Sequence, residues 1–355
     1  MQKKLIALAI AAAFSAPAFA DTTIYGVMDA GWGTVSNSPE VGKKVTESGV
    51  AFSQNQTSRI GFKQTEDLGG GMKAIYQLEM GLSSNPGSDA KFGTVPTSLG
   101  GSGFAPNSSI SPDRVMSAAL VLGQGTTLVA GRVSSPLRNI VYGYDAQYGS
   151  NLIGNLVTMD ANLTARAVAL AAVQDFGAVT GTLAVLNHTT KVDGSGDTQL
   201  CNGAEVTANF KQDALSVAAG YRSTKATTGA LGGGSSADST TKVMIVAASY
   251  DFGVAKLYGQ YGSVTVDNAI TSTSDKKTYE SVGVNVPFTS TFAGYVQLGT
   301  GKHDNGVTNP KYTASAVGVK YDLSKTTALY GHYGTAKEDT VGKVDQIAFG
   351  LLHTF

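Results

Sequence analysis

The closing stretch Gln346-Ile347-Ala348-Phe349-Gly350-Leu351-Leu352-His353-Thr354-Phe355 alternates with a period of two. Ile347, Phe349, Leu351, His353 and Phe355 share one face of a strand, and Gln346, Ala348, Gly350, Leu352 and Thr354 share the other. Chain ends normally fray, so an alternating strand that finishes on an aromatic residue is unusual for a protein in water. In a membrane barrel the last strand must pair with the first, because no water is present to satisfy a free edge, and Phe355 would then take part in closing the barrel. The edge strand of an exported β-sandwich would read the same way over this segment alone, so the rest of the chain has to decide.

At the other end, Lys3 and Lys4 precede an apolar run from Leu5 to Phe14, then Pro17-Ala18-Phe19-Ala20 directly before Asp21. This is the form of a bacterial secretory signal peptide over residues 1–20, leaving 21–355 as one exported domain. The apolar run falls short of the ~20 residues a spanning helix needs. Without Lys3 and Lys4, the 26 basic residues fall to 24 against 26 acidic ones, a formal charge of −2, which gives no bulk attraction to nucleic acid. Cys201 is the only cysteine, so no internal disulfide supports the fold. The chain has 44 Gly, 15 Tyr and 13 Phe but one Trp, and its mean hydropathy is near zero. Alternating strands with one face on lipid and the other on water average to that value.

Short turns and long polar loops take turns along the chain. Tight turns read at Asp67-Leu68-Gly69-Gly70, Gln124-Gly125, Asp175-Phe176-Gly177, Lys211-Gln212-Asp213, Asp251-Phe252-Gly253, Pro287-Phe288-Thr289 and Asp322-Leu323-Ser324-Lys325. Polar loops read at Ser36–Gly49, Asn85–Pro112, Ser134–Leu163, Val192–Cys201, Lys225–Ser239, Asp267–Lys276, His303–Asn309 and Lys337–Gly342. About sixteen strands lie between these breaks, an even number suited to a transmembrane antiparallel β-barrel. In Gly71–Ser83, Met72, Ala74, Tyr76, Leu78 and Met80 oppose Lys73, Ile75, Gln77 and Glu79. Tyr25, Tyr250, Phe252, Phe288 and Tyr321 fall near strand ends, where interfacial girdles are expected.

The run Ser58-Arg59-Ile60-Gly61-Phe62-Lys63-Gln64-Thr65-Glu66-Asp67-Leu68-Gly69-Gly70-Gly71-Met72-Lys73-Ala74-Ile75-Tyr76-Gln77-Leu78-Glu79 resembles the general porins of β-proteobacteria and Neisseria. So do Thr23-Ile24-Tyr25-Gly26-Val27-Met28-Asp29-Ala30-Gly31, Ala130-Gly131-Arg132, Tyr321-Asp322-Leu323-Ser324-Lys325-Thr326 and His353-Thr354-Phe355. The resemblance implies a sixteen-stranded barrel in the outer membrane of a Gram-negative bacterium, usually a homotrimer, with the third long loop, here Ser134–Leu163, folded into the lumen. It implies outer-membrane lipids and lipopolysaccharide as surroundings. The solutes passed would be small and hydrophilic, often with a preference for anions.

A channel of this kind needs no catalytic group, cofactor or metal, only a wet constriction whose fixed charges set the energy of a passing ion. If Ile60 and Phe62 face lipid, Arg59 and Lys63 face the lumen; by similar parity Arg114 and Arg132 reach inward from neighbouring strands. The resemblance adds Arg166, after the infolded loop, although residues 165–173 are apolar on both faces and parity leaves its direction open. Within the loop, Asp145 and Asp160 are the acids that would oppose this wall, against Arg138. A plainer reading has the arginines pairing with Glu79 and Asp29, both expected inward. Tyr142, Tyr144 and Tyr148 are either part of a sugar track or pins that hold the loop to the wall.

Other motifs carry little. Gly69-Gly70-Gly71 and Gly232-Gly233-Gly234 lack the Lys-Ser/Thr of a phosphate loop. The four histidines are too scattered for a metal site, and Asp193 and Asp197 read as solvated. A barrel enzyme would need a nucleophile, base and orienting acid converging at one rim, and no such set stands out. A substrate-specific pore and a structural or adhesive barrel acting through its loops are the other readings that the chain accommodates.

Overall fold

A computed structural model describes residues 21–82, 110–186, 203–226, 239–269 and 271–355. The leader, most of Asn85–Pro112, His188, Asp193, Asp197, Cys201 and the Gly232-Gly233-Gly234 run lie outside these residues. The alternating segments form one antiparallel sheet closed on itself. Its strands are β1 (Asp21–Pro39), β2 (Val45–Phe52), β3 (Arg59–Gly69), β4 (Met72–Leu82), β5 (Ile110–Gly123), β6 (Thr126–Ser134), β7 (Arg166–Asp175), β8 (Val179–Leu186) and β9 (Gly203–Gln212). They continue with β10 (Leu215–Ala226), β11 (Ser239–Asp251), β12 (Lys256–Asn268), β13 (Thr273–Pro287), β14 (Phe292–Asp304), β15 (Lys311–Asp322), β16 (Thr327–Glu338) and β17 (Gly342–Thr354).

These segments make sixteen staves, because β2 and β3 both pair with β1 and are two halves of one strand. The interruption at residues 53–58 is held by Asp29. Its carboxylate accepts from the Asn55 and Gln56 backbone N–H groups at 2.6 and 2.9 Å, and its carbonyl accepts from Ser53 N–H at 2.9 Å. Asp29 thus replaces the missing ladder bonds and does not pair with an arginine.

Closure follows the expected seam. β1 pairs with β17 from Val27↔Thr354 to Pro39↔Gly342, and Gly26 and Phe355 exchange backbone hydrogen bonds of 2.9 and 3.2 Å. Ile347, Phe349 and Leu351 face outward, where Trp32 stacks on Phe349 at 5.3 Å, while Ala348 is buried inside. The outer face is apolar around the barrel, with Leu170 62% and Leu298 52% exposed, a surface that lipid and not water satisfies. Among the described residues no helix is long and apolar enough to cross a membrane.

The tight turns fall where the sequence sets them, but three expectations need correction, and in one of them Asp267–Lys276 is mostly strand, since β12 runs to Asn268 and β13 begins at Thr273. Ser36–Gly49 is mostly strand: β1 runs to Pro39 and β2 begins at Val45. Thr34 with Ser48, and Ser36 with Thr46, join hydroxyls across this hairpin at 2.9 Å. Polar residues here mark a strand that extends past the lipid into water, not a loop. Tyr25 is no girdle residue, since its hydroxyl donates inward to Glu79 Oε2 at 3.2 Å. Tyr250, Phe252, Phe288, Phe292 and Tyr321 do cluster outside near the short turns, with Tyr250 and Phe252 centroids 4.6 Å apart.

Between β6 and β7 the chain folds inside the barrel. It carries the helices α1 (Pro136–Gly143) and α2 (Leu156–Met159), which together touch β9 through β15. Beyond the helices, Ile153 N–H donates to Gln346 on β17, and Asn151 N–H donates to Asn55 O. A segment that meets β9–β15, β17 and the break before β3 in a closed barrel lies in its lumen. Leu137, Ile140, Val141, Leu156, Val157 and Leu163 pack there against Ala218, Val243, Ile245 and Val264, so much of the inner wall is a hydrophobic core and not water.

Candidate pore constriction

Two buried ion-pair partners fix the ends of the infolded segment. Glu205 on β9 and Arg222 on β10 face each other across the ladder and pair at 3.6 Å. Glu205 Oε1 accepts from Leu137 N–H at 2.6 Å in the first turn of α1, where a carboxylate complements the helix dipole. Ser135 caps the same helix by accepting from Arg138 N–H at 3.1 Å, and Pro136 follows it. Arg222 donates to Asn162 O beyond α2. Gln260 donates to Val141 O at 2.6 Å and accepts from Asn155 at 3.0 Å, which ties the middle of the loop to β12.

This anchoring presents Arg138 to the remaining open wall. Its guanidinium lies 4.3 Å over the Tyr142 ring, one helical turn on, and donates to Thr164 O. Burial above all, and the Arg114 charge among lesser causes, lower its pKa below the ordinary value, though a guanidinium remains protonated at any ordinary pH. Across from it, Glu79 on β4 receives Arg114 Nε at 2.6 Å and Arg59 Nε at 3.6 Å. Arg59 also donates to Thr57 O at 3.0 Å, and Gln77 supports the Tyr25 hydroxyl that reaches Glu79. Three guanidinium groups in mutual electrostatic range, with one carboxylate, leave a net charge of +2.

The geometry sorts the candidate residues. Arg59 stands on the inner row with Lys63, opposite Val27 and Gly81, while Lys63 lies opposite Thr23 and Gln77. Arg114 points inward for a reason that parity misses. Val115 opposes Glu79 but Ser111 opposes Gly81, so β5 carries a bulge of two extra residues that re-aims Arg114 at Glu79. Strands β6 and β7 have no such bulge at Arg132, which pairs with Met116 and Val168 on the outer row; Arg166 stands opposite Ser134 at the start of β7, with its Nε buried. Arg132 therefore stands on the outer side of the wall and not with the inner cluster.

Asp145 and Asp160 also leave the wall. Asp145 is buried in the loop, accepting from Asn155 at 3.0 Å and Gly149 N–H at 3.1 Å, and burial pushes its pKa up to about 6. Asp160 accepts from the Tyr279 hydroxyl at 2.9 Å and from Asn162 N–H at 2.8 Å, which pins the end of α2 to β13. The three loop tyrosines diverge: Tyr142 lies under Arg138, Tyr144 reaches Ser216, and Tyr148 meets Tyr295 edge-on at 6.0 Å. They do not form a track. Arg138 is the residue that sequence reading underrated; the signal available was Ser135-Pro136 as a helix start, with Arg138 and Tyr142 one turn apart.

A closed barrel with an apolar exterior and a cluster of guanidinium groups inside defines an outer-membrane β-barrel protein. A family model described as Gram-negative porin matches residues 7–341, and the chain belongs to that family and to the outer membrane of such bacteria. It is 33% identical over 159 residues to the major outer membrane protein P.IB of Neisseria gonorrhoeae, a match covering 44% of this chain and 39% of that protein. To an outer membrane porin protein of Bordetella pertussis it is 36% identical over 107 residues, 27% of this chain and 28% of that one. The matched stretches thus span well under half of these relatives. In fold, it superposes on an anion-selective porin from Comamonas acidovorans with a TM-score of 0.73 at 23% identity, covering 95% of this chain and all of the other. The trimer form of OmpT of Vibrio cholerae gives 0.63 at 15% identity, covering 95% of this chain and 99% of that one.

Proposed function

We propose that the barrel is a passive diffusion channel for small hydrophilic solutes and ions with a mild preference for anions. The observation that carries this reading is the Arg59, Arg114 and Arg138 cluster, which Glu79 neutralises only in part. At ~6 Å and an effective dielectric near 20, each uncompensated charge attracts an anion by about 3 kcal/mol before screening. Screening over a length of ~8 Å reduces this by roughly half, which biases flux without excluding cations. Lys63 adds a cation on the same inner row. The anion selectivity of the Comamonas porin fits this reading. Reversal potentials in a salt gradient test it: an anion-favouring sign is expected, and a cation-favouring one overturns it.

The chain works as a homotrimer in this reading, as the trimer form of the OmpT neighbour suggests, surrounded by outer-membrane lipids and lipopolysaccharide. Three equal conductance steps per insertion are expected. Residues 1–20 are removed on export, and amino-terminal sequencing of the mature protein should begin at Asp21.

A further inference from the structure

The tip of the infolded segment encloses a cavity of about 200 Å³ against the break at residues 53–58 and the short-turn ends of β14–β17. The rings of Tyr148, Tyr295 and Tyr330, with Leu152 and Leu352, supply the apolar part of its wall. Tyr148 comes from the loop and Tyr295 from β14, and because they meet edge-on at 6.0 Å they form a corner that a flat ring fits.

The charge and two of the ring hydroxyls at this cavity are already engaged. Lys320 lies 5.6 Å over the Tyr148 ring and pairs with Asp322 at 2.7 Å. Tyr330 donates to Asp29 at 2.9 Å, and the Tyr295 hydroxyl bonds His332 Nδ1 at 2.7 Å. Gln147 differs. It lines the cavity and is 1% exposed, and among the described residues neither its Oε1 nor its Nε2 has a hydrogen-bond partner. A buried amide left unpaired is costly, so a native fold that keeps one has a use for it. The backbone on either side holds it in place: Ala146 N–H donates to Gln297 Oε1 and Ala146 O accepts from Asn285, each at 3.3 Å, while Gly149 N–H donates to Asp145 at 3.1 Å.

We infer that this cavity is a binding site for a neutral aromatic carboxamide, its ring against the tyrosines and its primary amide edge to edge with Gln147, donating an N–H to Oε1 and accepting one from Nε2. Roughly 150 Å³ holds one benzene ring, so about 200 Å³ admits a ring with one small substituent. A carboxylate of the same shape can accept from Nε2 but meets Oε1 with a second acceptor, and Lys320 is already neutralised by Asp322. A sugar would bring many hydroxyls to a wall whose free partner is one amide. The inference adds a solute class to the channel reading and rests on that reading for the solute's access to the lumen.

Equilibrium dialysis of the folded protein in detergent against benzamide tests it. Saturable binding to the parent is expected, with benzoate at least fivefold weaker and cyclohexanecarboxamide at least threefold weaker. Gln147→Met, which keeps the bulk of the side chain and removes the amide, should weaken benzamide at least fivefold and abolish its advantage over benzoate. Tyr148→Leu, at an exposed position that folding does not depend on, should weaken it at least threefold. Resistance to unfolding in detergent shows that each variant is folded; should Gln147→Met fail to fold, Tyr148→Leu and the benzoate comparison decide. Uptake by the parent that does not saturate, equal affinity for benzamide and benzoate, parental affinity in either folded variant, or displacement by a hundredfold excess of glucose would each overturn the assignment. Binding in detergent needs no conducting bore, so the two readings fail separately: a cation-favouring reversal potential on the same samples counts against the anion bias of the channel and leaves the carboxamide site standing.

Discussion

Glu79 sets the charge of the constriction, because it receives both Arg59 and Arg114 and, among the described residues, is the carboxylate that forms ion pairs with them. Replacing it by Gln should raise the net charge by one and strengthen anion preference, while Arg138→Gln should weaken it by a similar factor. From one screened charge near ~6 Å, the change in permeability ratio is expected to be about two- to tenfold, measured as a shift in reversal potential. Equal shifts of the same sign in both variants would contradict a shared electrostatic wall. Asp145 makes a different prediction. Its pKa in the folded protein, about 6, lies above its ordinary value of 3.8, so the native state binds more protons between those values. Stability should therefore fall as pH rises from about 4 to 6 and then level, by an amount on the order of 3 kcal/mol at most. Denaturant midpoints in detergent should show that slope, and Asp145→Asn should flatten it. Single residues were legible where strict alternation holds, as at Arg59 and Lys63. Parity puts Arg114 inward on the wrong ground, because a bulge leaves no mark in the periodicity, and it misplaces Arg132, where no bulge occurs.

Among elements, the infolded segment decides how much of the lumen is open. Gly334 on β16 lies so close to the Ile153 carbonyl that a Cβ there would collide with it. Gly334→Ala should push the Leu152–Asn155 stretch off the wall and change single-channel conductance measurably, with the barrel itself intact by its resistance to unfolding in detergent. An unchanged conductance would mean that this stretch gives way without affecting the bore. The loop's place in the lumen rests on the family resemblance, which puts the third long loop, Ser134–Leu163, there; its helices and its apolar core leave no such sign. Leu137, Ile140, Leu156 and Val157 pack onto residues far away in sequence on β10–β13, and no local period reports that partner. The ends of strands were obscured for the opposite reason. Above the lipid, both faces of a strand meet water, so Thr34, Ser36, Thr46 and Ser48 lose the alternation by which strands are recognised.

For the whole molecule, the strand count and the seam were the most readable features, since a closed ladder imposes period two on every stave and short turns at one rim. Phe355 adds two backbone hydrogen bonds to that seam and sets its ring over Gly26, where a Cβ would clash with it. Deleting Phe355 should lower the yield of folded barrel severalfold, read as the fraction that resists unfolding in detergent, with normal conductance in the molecules that do assemble. The seam also bears on how the barrel is made. Its two edges, near Gly26 and Phe355, are separated by almost the entire polypeptide. No partial product emerging from export can zip up its own margin, and until the last stave arrives both rims expose unpaired amides that would invite neighbouring chains. Biogenesis must therefore keep a nearly complete but open sheet apart from its copies, and the slowest event should be the meeting of the first stave with the last.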